Sequence, residues 1–82
     1  MQIFIDLKKE VDKLIVDLPF ECIMRELPES SCLKRIVVYK FKSRGFECDL
    51  QADTYYLHKG IALRECAEYL VENFFQLYLR NK

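Results

Sequence analysis

The stretch IVVYKFKSRGFECDLQA, residues 36 to 52, constrains the fold more than any other part of the chain. Val37, Tyr39 and Phe41 fall on one side of a two-residue period, and Ile36, Val38, Lys40 and Lys42 on the other. After Ser43, Arg44 and Gly45, the alternation resumes: Phe46, Cys48, Leu50 and Ala52 against Glu47, Asp49 and Gln51. Period two with β-branched and aromatic residues reads as two strands joined by a tight turn, the first reaching back to Lys34. A three-residue loop, Ser43 to Gly45, pairs Lys42 with Phe46 and sets a charge beside the core. A loop with an even number of residues pairs Phe41 with Phe46, Tyr39 with Cys48 and Val37 with Leu50. It also places Lys40 opposite Glu47. Slipping a strand by one residue turns its whole apolar set to the wrong face, so the even loop is expected.

The flanking segments complete the pattern. Phe4, Leu7, Val11, Leu14, Ile15 and Leu18 recur at helical spacing, with Lys8–Asp12 and Lys13–Asp17 as i,i+4 pairs between them. Pro19 stops this helix. Its start has two readings: Asp6 as N-cap after a short strand from Met1 to Ile5, or a helix that begins earlier. FECIMREL, residues 20 to 27, alternates again and reads as a half-buried strand, followed by a turn at Pro28. ADTYYLHKG, from Ala52, is open between the end of a strand, a loop, and an early start of the last helix capped by Asp53. From Ile61 the helix is clear. Glu65, Glu68, Glu72 and Gln76 form its polar stripe, and Leu63, Ala67, Leu70, Val71, Phe74 and Tyr78 its apolar face.

These readings give an α+β, two-layer domain over residues 1–82, ordered α-β-β-β-α. It has a three-stranded antiparallel sheet and both helices packed on one face. Cys66, Tyr69, Phe75, Leu77 and Leu79 widen the apolar arc of the last helix beyond the ~100° that one sheet covers. The surplus around Tyr69, Phe75 and Leu79 is expected to lie on the first helix or to meet a second chain. A domain of 82 residues buries only about 60–65% of its unfolded surface, so a homodimer through the last helix is expected.

The order of elements resembles the double-stranded-RNA-binding domain over roughly Phe4 to Leu79. PFEC stands where that family has its first strand, IVVYKFKSRGFECDLQA where it has its central hairpin, and RECAEYL near the start of its last helix. The resemblance implies RNA contacts through the first helix, the loop after the first strand and the opening of the last helix. That loop is LPESSCLKR here and lacks the family's Gly-Pro-x-His pattern. The opening, HKGIALRECAE, keeps Lys59 and Arg64 of the family's basic cluster.

Composition narrows the function classes. Thirteen basic residues balance thirteen acidic ones, which argues against a dedicated duplex binder. A local basic cluster remains: Lys34, Arg35, Lys40, Lys42 and Arg44 lie on the second strand and its turn. With Lys59 and Arg64 these are the candidate nucleic-acid contacts; a solvated sheet face is the alternative. Tyr69, Phe75 and Leu79 are the candidate protein interface. The cysteines, 22, 32, 48 and 66, contain no CxxC pair and are expected as thiols, mostly at apolar positions. His58 has no nucleophile or orienting partner in its neighbourhood, and two glycines cannot build a phosphate loop. No enzyme, cofactor, metal or small-molecule substrate is expected. Nor is a membrane span, which needs ~18 apolar residues, or a signal peptide, so the expected location is cytoplasmic. The resulting expectation is a small regulatory or inhibitory protein that binds another macromolecule, such as an accessory protein of a phage or mobile element. The alternative is RNA binding on a scaffold like that of the family named above.

Overall fold

The computed structural model describes residues 2–27, 36–53 and 62–81. Helix α1 runs Gln2–Ile15, strand β1 Glu21–Glu26, β2 Ile36–Ser43, β3 Phe46–Asp53, and helix α2 Leu63–Arg80. The helix therefore begins at Gln2, and Asp6 lies within it rather than at a cap. Phe4, Leu7, Val11 and Ile15 form its buried stripe, with Leu14 half-buried and Leu18 outside. Lys8 pairs with Asp12 as the spacing predicts, but Lys13 turns back one helical turn to Glu10, 3.1 Å away, instead of forward to Asp17. The helix ends in a turn closed by Leu18 N–H donating to the Ile15 carbonyl at 3.0 Å, and Pro19 leads into β1.

The sheet is an antiparallel meander with β2 at its centre. Along β1, Glu21 faces Lys42, Cys22 faces Phe41 and Met24 faces Tyr39. Along β3, Phe41 faces Cys48, Tyr39 faces Leu50 and Val37 faces Ala52. The even loop is present, but it holds two residues rather than four. Every cross-strand pair of the hairpin is therefore shifted by two positions from the expected register, and sidedness is kept because the pleat repeats every two residues. A two-residue connection is the commonest hairpin loop, and here its second residue, Gly45, takes a left-handed φ of +82° that glycine adopts without a Cβ penalty. Asp53 ends β3 and is not a helix cap. Helix α2 starts after Ala62 without a side-chain cap.

Both helices pack on the sheet face that carries Val37, Tyr39 and Phe41, with α1 towards β1 and α2 towards β3. The two helices also pack against each other. Tyr39 is fully buried at the middle of the core. Its hydroxyl donates 2.9 Å to the main-chain carbonyl of Phe4, which ties the central strand to α1. A buried phenol needs such a partner, and the carbonyl has a second lone pair beyond its helical bond.

Towards the hairpin end the core becomes aromatic. Phe74 is stacked on Phe41 at 4.8 Å and meets Phe20 edge-on at 4.7 Å. Phe20, the residue that follows Pro19, also contacts Phe75 at 5.5 Å and Tyr78 at 5.1 Å. Each such pair contributes ~0.5–1.5 kcal/mol beyond its buried area. Part of the surplus on the last helix is thus absorbed: Cys66 is buried, and Phe75 lies half-buried against Phe20. Tyr69 and Leu79 are not absorbed.

Candidate functional site

Two surfaces carry the residues that the sequence singles out, and they lie on opposite sides of the domain. The first is the face of the sheet opposite the two helices. Lys40 and Lys42 project there because their neighbours Tyr39 and Phe41 face the helices. The pairing sets acidic residues around them. Lys42 stands between Glu21 of β1 and Glu47 of β3, and Lys40 between Ile23 and Asp49. Lys40 reaches Glu47 at 4.0 Å, and Arg25 reaches Asp49 at 3.2 Å across the β2 strand that separates them. Among the described residues Lys42 and Arg44 make no ion pair, so these two cations at the hairpin end are the part of the basic cluster left open. Val38, between Arg25 and Gln51 on the same face, is buried.

Arg64 does not join them. It sits in the first turn of α2, where it pairs with Glu68 at 3.2 Å and with Glu10 of α1 at 3.6 Å. That geometry makes it a strap between helices. The Glu10 carboxyl is held below the ordinary carboxylate range, first by the hydrogen bond from Lys13, which desolvation opposes, and then by the Lys13 charge and the Arg64 hydrogen bond and charge. Lys34, Arg35, Lys59 and His58 lie outside the described residues, as do Tyr55, Tyr56 and Cys32.

The second surface is the outer face of α2. At 100° per residue, Tyr69, Asn73, Gln76 and Arg80 fall within a sector of about 60°, opposite the buried Ala67, Val71 and Phe74 and the half-buried Tyr78. Tyr69 is 61% exposed and Leu79 65%. Leu77 borders the same face and is partly open. A shallow groove runs along it, lined by Tyr69, Glu72, Asn73, Gln76, Leu77 and Arg80. The Asn73 amide donates back to the Tyr69 carbonyl at 2.7 Å, which fixes one wall. Of the three candidate interface residues, Tyr69 and Leu79 are therefore on the surface, while Phe75 belongs to the aromatic cluster. Asn73, Gln76 and Arg80 were missed as a set because none is apolar; their i, i+3, i+7 spacing was the available signal.

The described thiols are poorly suited to chemistry. Burial pushes Cys22 up to about 12, and burial also raises Cys48 and Cys66. Burial raises the Tyr39 phenol as well. All three thiols are free and stay protonated near neutral pH, so none is an activated nucleophile. Among the described residues no group of three or more His, Cys, Asp or Glu side chains is placed to hold a metal ion. No described helix is long and apolar enough to cross a membrane. No family model matches the chain, and no curated protein or solved structure matches it either.

Proposed function

We propose that the chain is a small regulatory or inhibitory protein that acts without catalysis, by binding another macromolecule through the outer face of α2. One observation carries the reading: Tyr69 and Leu79 are more than half exposed on a helix whose Phe74 is fully buried and whose Phe75 packs against Phe20. Exposed rings beside a groove are the features around which protein interfaces build their energetic centres. The raised thiols support a role that does not involve covalent chemistry. The partner is a protein, and a second copy of the chain is one such partner. A cytoplasmic location and a phage or mobile-element context belong to the same proposal.

RNA binding is the second reading, favoured by Lys42 and Arg44, the open cations at the hairpin end. It follows from the resemblance to the double-stranded-RNA-binding domain, whose α-β-β-β-α order the chain shares. The carboxylates of Glu21, Glu47 and Asp49 around Lys40 and Lys42 oppose it, since phosphate binding depends on uncompensated charge.

Affinity capture from a native lysate separates the two. The first reading expects one stoichiometric protein that is lost with Tyr69→Arg and kept with the double variant Lys40→Glu, Lys42→Glu. A salt-sensitive nucleic-acid gel shift that the lysine variant abolishes and Tyr69→Arg leaves intact overturns the first reading in favour of the second.

A further inference from the structure

The groove on α2 has the shape of a helix-pairing socket. Asn73, Gln76, Leu77 and Arg80 stand at i, i+3, i+4 and i+7, the four corners of a hole that receives a side chain from a facing helix. One turn earlier on the same face, Tyr69 projects into solvent as a knob with nothing in its own chain to fill. The charges on this face are segregated along the axis. Glu65 lies in the first turn, Glu72 at the middle and Arg80 in the last turn, and none of the three makes an ion pair among the described residues.

From this arrangement we infer that α2 pairs antiparallel with α2 of a second copy about a two-fold axis near Glu72 and Asn73. The inference rests on the proposal that this face is the binding surface, and it names the occupant. A register that sets Tyr69 of one copy over Gln76 of the other seats the ring in the four-residue hole. The same register brings Glu65 of one copy opposite Arg80 of the other. Both contacts occur twice, as an isologous interface demands. A parallel, in-register pair instead stacks Glu72 on Glu72 and Arg80 on Arg80 and leaves the hole empty. One helix pair buries less than the ~800 Å² per partner of a standard interface, and the two Glu72 carboxylates approach at the axis. Association is therefore weak and reversible, in the range where small changes in charge decide the population.

Sedimentation equilibrium on the whole chain, from about 10 μM to about 1 mM, tests it. Glu65→Arg alone and Arg80→Glu alone are each expected to weaken dimerisation about tenfold or more, because two attractive pairs become repulsive. An equimolar mixture of the two variants restores it, since the copy with two arginines then faces the copy with two glutamates. Circular dichroism checks that the helix survives, and if a reversal disrupts folding, Glu65→Gln and Arg80→Gln serve in its place, expected to weaken dimerisation by a smaller factor. A mixture that associates no better than either variant alone overturns the antiparallel register. A wild-type chain that stays monomeric over the whole range overturns self-pairing altogether. That second outcome leaves the proposed function standing, because Tyr69-dependent capture of a different protein decides it separately.

Discussion

Replacing Tyr39 with Phe isolates one hydroxyl at the centre of the core, and its effect should change sign with pH. At pH 7 the substitution removes the 2.9 Å hydrogen bond to the Phe4 carbonyl. The carbonyl keeps its helical partner, so no buried acceptor is orphaned, and the cost is that of one ordinary hydrogen bond, ~1 kcal/mol. For a domain of this size that corresponds to a fall in Tm of roughly 4–8 °C. At high pH the balance shifts. In the unfolded chain the phenol ionises near ~10, whereas in the folded protein burial holds it protonated well above that. The folded state then binds the proton that the unfolded state has lost, so stability falls as pH rises above the unfolded value. The slope approaches about 1.4 kcal/mol per pH unit and persists until the folded group itself ionises. Tyr39→Phe lacks this loss. The two stability curves should therefore cross near pH ~10.6, where the ionisation cost equals the ~1 kcal/mol hydrogen bond. Groups that do not interact with Tyr39 cancel in the difference. Urea unfolding of both proteins at half-unit steps from pH 7 to 11.5 measures it. A difference that stays flat across that range would refute the reasoning, because it would mean that the phenol ionises as easily inside the protein as outside.

Gly45→Ala is expected to cost about 1–2 kcal/mol from backbone strain alone, since φ is +82° and no atom lies within 4 Å of the added methyl. Gly45→Asn, which tolerates that φ better, should cost less in the same denaturation assay. Phe74→Ala should cost ~3–5 kcal/mol by removing the ring shared by Phe20, Phe41, Phe46 and Tyr78, enough to unfold much of the population at 37 °C by circular dichroism. Cys22, raised to about 12, should resist iodoacetamide at pH 8 in the native protein and react in urea, with peptide mass spectrometry reporting the site. Rapid native alkylation of Cys22 would contradict its burial.

The order of elements was legible because each segment keeps one period: 3.6 in α1 and α2, two in the strands. The register was legible only to parity. Alternation distinguishes an odd slip from an even one, but two even loops bury the same residues, and the choice between them rests on turn geometry around Gly45. The basic residues formed one group in the sequence, yet Arg64 separates from Lys40 and Lys42 because one sits in the helix layer and the others behind the sheet. Phe75 looked surplus when α2 was weighed against the sheet and α1 alone. The ring that covers it, Phe20, opens the alternating FECIMREL segment, and alternation gives its side of the sheet but not its reach to α2. Tyr39 was readable as core from its alternation, but the acceptor of its hydroxyl, the Phe4 carbonyl, is set by the packing of α1 and leaves no mark in the sequence.

The meander β1-β2-β3 pairs only neighbours in the chain, so the sheet can form without waiting for α2. Phe74, which seals the aromatic end of that sheet, follows more than twenty residues later in the chain. Until α2 docks, α1 can cover the sheet beside β1, while Phe41 and Phe46 remain uncovered by the helix that closes over them. A holding chaperone or an early neighbour has its opening in that window, before the mature surface exists.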